Sequence, residues 1–247
     1  MQEDAPPEDR RASPARAARG VERTLKTVWR TDAGMTALVV VLFCTLIVAP
    51  PLLGAGIVKP VVFDVLFSLI LISAATAVAN RRWASVTAVA LAIASVGFRW
   101  INFGLGHPSI ALVDAAIEAA AFLFFAALVM SQVLRKGSIT MHRVRGAIAA
   151  YLLFGLAWSA AYQVVYDLAP GAFRLAAGND PRLELLYFSF VTLTTVGYGD
   201  ITPILPTARS LAIAEALIGQ LFPAVLIGRL VGLEISGRRR DDDDPVV

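Results

Sequence analysis

The chain contains 247 residues, of which 57% are hydrophobic and 17% are charged, and its formal net charge is +3. Soluble domains carry roughly a quarter charged residues, so this composition favours a membrane protein over a soluble domain. The single cysteine, Cys44, excludes an intrachain disulfide. His107 and His142 are the only histidines, and neither a GxSxG nor an HExxH motif occurs. We therefore predict that the protein is not an enzyme.

The first 32 residues are rich in Pro, Arg, Asp and Glu and contain no apolar stretch of the kind that a secretory signal requires. This composition predicts that residues 1–32 form a cytoplasmic, largely disordered basic tail. Val21 to Arg30 is able to form a short amphipathic helix at the membrane surface. Its basic residues are expected to face anionic lipid, which explains them more simply than nucleic-acid binding does.

Six apolar runs follow, each close to the roughly 20 residues that a membrane-spanning helix needs. Pro50-Pro51 and the glycines after them are expected to end the first run. The runs cover residues 35–53, 61–79, 83–101, 110–134, 146–168 and 206–233. We therefore predict an all-α membrane protein with six transmembrane helices.

Basic residues cluster between alternate runs, which predicts the orientation of the chain. If all six runs cross the membrane, the N-terminal tail, Arg81-Arg82, residues 135–145 and Arg238–Arg240 share one side. Loops rich in Lys and Arg stay cytoplasmic. Both termini are therefore predicted to be cytoplasmic, with the chain multi-pass in the cell inner (plasma) membrane.

A shorter apolar stretch, Tyr187 to Thr194, lies between the fifth and sixth runs and is too short to cross a bilayer. Backbone that enters a membrane without crossing it survives only inside protein or beside a water-filled cavity, which indicates a re-entrant segment. It leads into Thr195-Val196-Gly197-Tyr198-Gly199-Asp200. The alternate glycines allow backbone conformations that other residues avoid. The sequence Thr195 to Gly199 is itself the standard example of a K⁺ selectivity filter.

Residues 187–200 and the apolar run after them resemble the pore domain of the tetrameric potassium channel superfamily. The chain is most similar to small bacterial six-span channels without a large cytoplasmic domain, and the close resemblance covers residues 147–233. It implies an outer helix, a pore helix from about Pro181, a filter, an inner helix from about Pro206, and a homotetramer around a central pore. K⁺ is the permeant ion that the resemblance implies. It is expected to be coordinated by the Thr195 hydroxyl and by the backbone carbonyls of four residues: Thr195, Val196, Gly197 and Tyr198.

The resemblance also implies residues that support the filter. Thr194, Gly199 and Asp200 flank it, and Tyr187 and Phe188 occupy positions where relatives often have aromatics packed around the filter tyrosine. Some relatives carry a carboxylate at the position of Val191 that pairs with the filter aspartate, so that pair is predicted to be absent here.

The last apolar run contains candidate gating residues. Gly219 lies where the family has its hinge glycine, and Pro223 lacks the N–H that would bond to the carbonyl of Gly219. A kink there would open the cytoplasmic mouth, whereas close helix packing at Gly219 is the alternative. Glu215, one turn earlier, is predicted to pair with a polar group behind the filter or, alternatively, to titrate and gate.

Residues 33–136 form a four-helix unit that resembles a voltage-sensor domain only in its number of spans. No Arg or Lys occurs from His107 to Leu134, which argues against classical voltage gating. Its charged residues are expected to form a buried ion-pair cluster, in which Arg99 pairs with Asp64, Asp114 or Glu118. The alternative is a ligand or proton site in the same unit.

The remaining segments are a predicted cytoplasmic linker at residues 137–146 and a short cytoplasmic tail at residues 234–247. The leading interpretation is a K⁺-selective channel subunit that conducts passively. The alternative is a regulatory or silent subunit of a heteromeric K⁺ channel. A K⁺ uptake transporter would carry four filter repeats, and the chain has one.

Overall fold

The computed structural model describes residues 34–59, 61–77, 82–105, 107–134, 140–176 and 180–243. The predicted N-terminal tail, Val21–Arg30 within it, and residues 135–139 of the basic connector lie outside these ranges. The described part is almost entirely helical, as predicted. In chain order its elements are α1 (Gly34–Gly54), α2 (Val61–Ala77), α3 (Arg82–Leu105), α4 (Pro108–Val133), α5 (Met141–Leu168), β1 (Phe173–Arg174), α6 (Pro181–Leu193), β2 (Thr202–Pro203) and α7 (Pro206–Asp243).

Four of the described helices are long and apolar enough to cross a membrane: α1, α4, α5 and the Pro206–Arg229 part of α7. The apolar parts of α2 and α3 are shorter, at Val61–Ala75 and Val89–Ile101. Each of the six predicted spans therefore coincides with a helix, and four of these helices combine the length and the apolar composition that spanning requires. Six complete crossings remain a prediction.

The expectation that Pro50-Pro51 helps to end the first helix is wrong, because α1 continues through both prolines to Gly54. The preceding turn, Cys44–Val48, is a π-helix in which the Ala49 N–H bonds to the Cys44 carbonyl. The two prolines then occupy the first positions of the next α-helical turn. The wider π-turn rearranges the carbonyls that their rings would otherwise meet, and a missing N–H matters little at the start of a turn.

Two helices extend beyond the boundaries expected from hydropathy. α5 begins at Met141, so its first turns include His142, Arg143 and Arg145, which were assigned to the linker. α7 runs to Asp243, so much of the expected tail at residues 234–247 is helical. Hydropathy locates the point where a helix leaves apolar surroundings, and polar residues with good helix propensity carry the backbone further.

One continuous apolar core joins the first four helices to α5 and α6 of the same chain. Its buried members include Leu42 of α1, Phe122 of α4, Leu153 of α5 and Leu186 of α6. A second, smaller cluster around Tyr162 and Phe173 packs beside the β1–β2 pair. The first four helices therefore pack against α5 and α6 of the same chain.

Candidate functional site: the filter segment and its supports

α6 is the short helix that leads into Thr195 to Gly199, which is called the filter segment below after its predicted role, and both ends of α6 are well defined. The Asp180 carboxylate caps its N-terminus by accepting a hydrogen bond from the Arg182 N–H at 2.9 Å, and Pro181 follows as the first helical residue. At the other end the Thr194 hydroxyl donates to the Phe190 carbonyl at 2.6 Å. The helix therefore points its C-terminal, negative end toward the start of the filter segment.

The filter segment has an alternating backbone. Thr195, Gly197 and Gly199 have positive φ angles of 58°, 56° and 81°, whereas Val196 and Tyr198 do not. Thr195 is the one described non-glycine residue with positive φ, and a β-branched residue is rarely found there. Alternation of backbone handedness brings successive peptide groups to face the same side of a segment. Such a segment can present a row of carbonyl oxygens.

The start of the segment is held by the last turn of α6. The N–H groups of Val196 and Gly197 both donate to the Val191 carbonyl, at 3.0 Å and 3.3 Å, and the Thr195 N–H donates to the Thr192 carbonyl at 2.9 Å. Val196 and Tyr198 are 53% and 72% exposed in the single chain.

Asp200, which follows the filter, is anchored by Tyr187 of α6. The Tyr187 hydroxyl donates to Asp200 Oδ2 at 2.8 Å, and the Ile201 N–H donates to Asp200 Oδ1 at 3.1 Å. The hydrogen bond to Asp200 raises the pKa of Tyr187, so the phenol keeps the proton that it donates. The sequence analysis predicted that a carboxylate partner for Asp200 is absent at Val191 and named Tyr187 as a support of the filter tyrosine. It did not predict the contact between Tyr187 and Asp200.

Phe188 lies on the other side of α6, in a buried aromatic cluster. Its ring packs against Tyr162 and Phe173, with ring centroids 5.1 Å and 5.6 Å away. β1 and β2 pair beside this cluster and join the segment before α6 to the segment after the filter, with the Ile204 N–H donating to the Ala172 carbonyl at 2.7 Å. The filter segment is thus braced at both ends.

Glu215 of α7 lies fully buried between three helices. The Tyr162 hydroxyl of α5 donates to Glu215 Oε2. Ser189 Oγ of α6 lies 2.6 Å from Glu215 Oε1 and 2.7 Å from the Gly155 carbonyl oxygen of α5. The polar partners of Glu215 are therefore the hydroxyls of Tyr162 and Ser189. The sequence analysis predicted a polar partner but did not identify these two residues.

Gly219 packs directly against the end of α6. A Cβ atom at this position would collide with the carbonyl oxygen of Leu193 and would lie 2.7 Å from its carbonyl carbon. The Tyr151 hydroxyl also donates to that oxygen, at 3.2 Å. α7 continues as one helix through Pro223. This geometry agrees with the alternative that Gly219 allows close helix packing, rather than with a hinge at Gly219.

The charged residues of the four-helix unit come together and include one residue that the sequence analysis left out. Arg99, which is 2% exposed, pairs closely with Glu118 and lies 3.7 Å from Asp64, and its guanidinium stacks 4.9 Å from the ring of Phe67. Arg182 of α6 lies 3.4 Å from Asp64 and 3.6 Å from both Asp114 and Glu118. The cluster therefore links the four-helix unit to the helix that carries the filter segment.

The sequence analysis did not include Arg182 in this cluster, because its partners are more than 60 residues away in the chain. A cavity of about 80 Å³ lies beside the cluster, lined by Phe67, Gln163 and Leu183 among others. Within the ranges that the structure describes, no group of three or more His, Cys, Asp or Glu side chains is arranged to hold a metal ion.

Comparison with known proteins agrees with this geometry. Residues 147–233 match the family model described as "Ion channel". The same residues are the segment that the sequence analysis predicted to form the pore domain. Two pore potassium channel c of Oryza sativa subsp. japonica is 44% identical over 80 residues, which is 32% of this chain and 18% of that protein. Protein LctB of Geobacillus stearothermophilus is 52% identical over 60 residues, which is 23% of this chain and 42% of that protein.

A longer match extends into the four-helix unit. Voltage-gated potassium channel Kch of Escherichia coli (strain K12) is 29% identical over 144 residues, which is 57% of this chain and 29% of that protein. The chain thus spans less than half the length of each of these relatives. No solved structure matches it at a significant level. Residues 147–233 are thus similar to an ion-channel domain, and most of this segment lies in apolar helices.

Proposed function

We propose that this protein is one subunit of a K⁺-selective channel that conducts passively across a cell membrane. The observation that carries the proposal is the alternating backbone of Thr195 to Gly199, held at the end of a capped, non-spanning helix. Stacked carbonyl oxygens from such segments replace the hydration shell of K⁺. Thr195, Val196, Gly197 and Tyr198 supply those oxygens, and the similarity to proteins named as potassium channels supports the same ion.

One chain supplies one filter segment, so the pore requires a ring of four copies. The apolar surface near the filter fits that arrangement, since Val196 and Tyr198 are exposed in the single chain, as are Leu217 and Leu221 of α7. In the tetramer these surfaces face the pore, lipid or a neighbouring subunit. The basic segments lie on the cytoplasmic side against anionic lipid, with both termini cytoplasmic.

Gating is not of the classical voltage-dependent kind. α4 carries the carboxylates Asp114 and Glu118 where a voltage sensor carries repeated arginines, and both are neutralised by Arg99 or Arg182. The gate lies in the lower part of α7. Since Gly219 is packed against Leu193, bending occurs at and below Pro223, where the backbone hydrogen bond is missing.

The test is the reversal potential of purified protein in a planar bilayer, with K⁺ on one side and Na⁺ on the other. We expect reversal close to the K⁺ equilibrium potential and loss of this selectivity in Gly197→Ala. Gly171→Ala is the matched control, because Gly171 also has positive φ (100°) but lies in the turn before β1. Both variants strain a left-handed backbone, and only the first changes the filter.

A reversal near zero in the unmodified protein would exclude a K⁺-selective pore. Absence of current from a verified tetramer, across voltages and pH and also after truncation of α7 below Pro223, would favour the silent-subunit alternative.

A further inference from the structure

The hydrogen bonds around Glu215 contain information about its protonation state. A serine hydroxyl carries one hydrogen, a peptide carbonyl only accepts, and an ionised carboxylate only accepts. Ser189 Oγ lies 2.6 Å from Glu215 Oε1 and 2.7 Å from the Gly155 carbonyl oxygen. Were Glu215 ionised, Ser189 would face two acceptors with one hydrogen. One of these short oxygen–oxygen contacts would then lack a proton and be repulsive.

A proton on Glu215 Oε1 resolves this conflict. The acid then donates to Ser189, Ser189 donates to the Gly155 carbonyl, and the Tyr162 hydroxyl donates to Glu215 Oε2. Each of the three O–H groups has one acceptor, and every polar atom of the group is satisfied. Glu215, Ser189 and Tyr162 are all fully buried, so water does not supply the missing proton.

The electrostatic surroundings favour the same state. The titratable side chains that face Glu215 are Tyr162 and Tyr151, both from α5, and α6 presents the non-titratable Ser189. Among the residues that the structure describes, no Lys, Arg or His side chain pairs with Glu215. An unpaired buried carboxylate is highly unfavourable at this depth, whereas a hydrogen-bonded neutral acid is not.

We propose that Glu215 is held as a neutral carboxylic acid whose proton fastens α7 to α6 and, through Ser189, to the backbone of α5. The contact lies one turn above Gly219, where α7 also touches Leu193, two residues before the filter segment begins. Loss of the proton at alkaline pH therefore loosens the support of the filter. The protonation state itself does not depend on which ion the protein conducts, so its test stands apart from that of the proposed function.

The direct test is infrared difference spectroscopy of the full chain in lipid vesicles at neutral pH. Glu215→Gln is expected to remove a band of protonated carboxylic acid and to leave the carboxylate bands unchanged. Glu184→Gln, at a partly exposed acid in the first turn of α6, is the matched control and is expected to remove carboxylate absorption only. Loss of carboxylate absorption from both variants would overturn the proposal.

A second variant keeps the test decisive if Glu215→Gln does not assemble. Ser189→Ala leaves the acid in place but removes its acceptor, so the protonated-acid band is expected to shift in frequency. No shift would show that the acid does not donate to Ser189.

Thermal stability against pH gives an independent readout. A glutamine amide donates and accepts in the pattern of the neutral acid, so Glu215→Gln is expected to match the unmodified protein at neutral pH. The unmodified protein is expected to lose melting temperature at alkaline pH, and Glu215→Gln is expected to lack this decline. A variant with much lower stability at neutral pH and an unchanged alkaline decline would indicate an ionised Glu215.

Discussion

The contact between Gly219 and the end of α6 predicts the effect of one added methyl group. In Gly219→Ala the new Cβ would collide with the Leu193 carbonyl oxygen and lie 2.7 Å from its carbon, whereas ordinary contact begins at 3.4 Å. α7 must therefore move away from α6 by at least 0.7 Å, the difference between these two distances. The atoms that it meets belong to the backbone and cannot rotate aside. Overpacking of this kind costs about 1–3 kcal/mol.

The assay compares thermal unfolding and K⁺/Na⁺ reversal potential for Gly219→Ala with those for Gly228→Ala. Gly228 lies in the same helix, and a Cβ there meets nothing within 4 Å. We expect the first variant to lose stability and, because Leu193 lies two residues before Thr195, some selectivity, whereas the control loses little. If Gly219→Ala were as stable as the control and altered only the open probability, Gly219 would be a hinge and the packing argument would be wrong.

Three further changes test the other supports of the filter segment. Arg99→Gln leaves buried carboxylates uncompensated and is expected to lower stability by about 3–5 kcal/mol. Arg182→Gln, at a side chain that is 39% exposed, is expected to lower stability less, and equal losses on thermal unfolding would contradict the different burial of the two arginines. Tyr187→Phe removes the hydroxyl that holds Asp200. The variant is expected to need a higher K⁺ concentration to keep the tetramer assembled on heating. If the K⁺ concentration needed is unchanged, the Tyr187–Asp200 hydrogen bond does not stabilise the filter. Gly155→Ala places a Cβ 2.5 Å from a phenyl ring of α6 and is expected to cost about 1–3 kcal/mol, measured against Gly97→Ala, which meets nothing within 4 Å.

The unusual backbone of Thr195 to Gly199 was predictable from sequence because it depends on neighbouring residues. Gly197 and Gly199 stand where the backbone adopts positive φ, and the short apolar stretch before them is too short to span a membrane. The cap at Asp180 is equally local, since the bond spans two residues. The charged partners of Arg99 were also identified, because few charges occur in the apolar runs and each needs a neutralising neighbour.

The partners of Glu215 were not predictable in the same way. Ser189 and Tyr162 lie 26 and 53 residues away, and a serine or tyrosine in an apolar helix has no pattern that marks it as a hydrogen-bond partner. The role of Gly219 was ambiguous for a related reason. A hinge and a close contact both require glycine, and only the position of the Leu193 carbonyl distinguishes them.

The sequence by itself determined which segments are apolar helices, which residues carry the Thr-Val-Gly-Tyr-Gly pattern, and that α4 contains no Arg or Lys. These properties follow from composition and from residue types at neighbouring positions. Only the tertiary structure decided that α1 passes through Pro50-Pro51, that Arg182 joins the charge cluster, and that Glu215 meets two hydroxyls. The physical reason is that helix–helix contacts depend on rotation and depth of each helix, and a nearly uniform apolar sequence specifies neither.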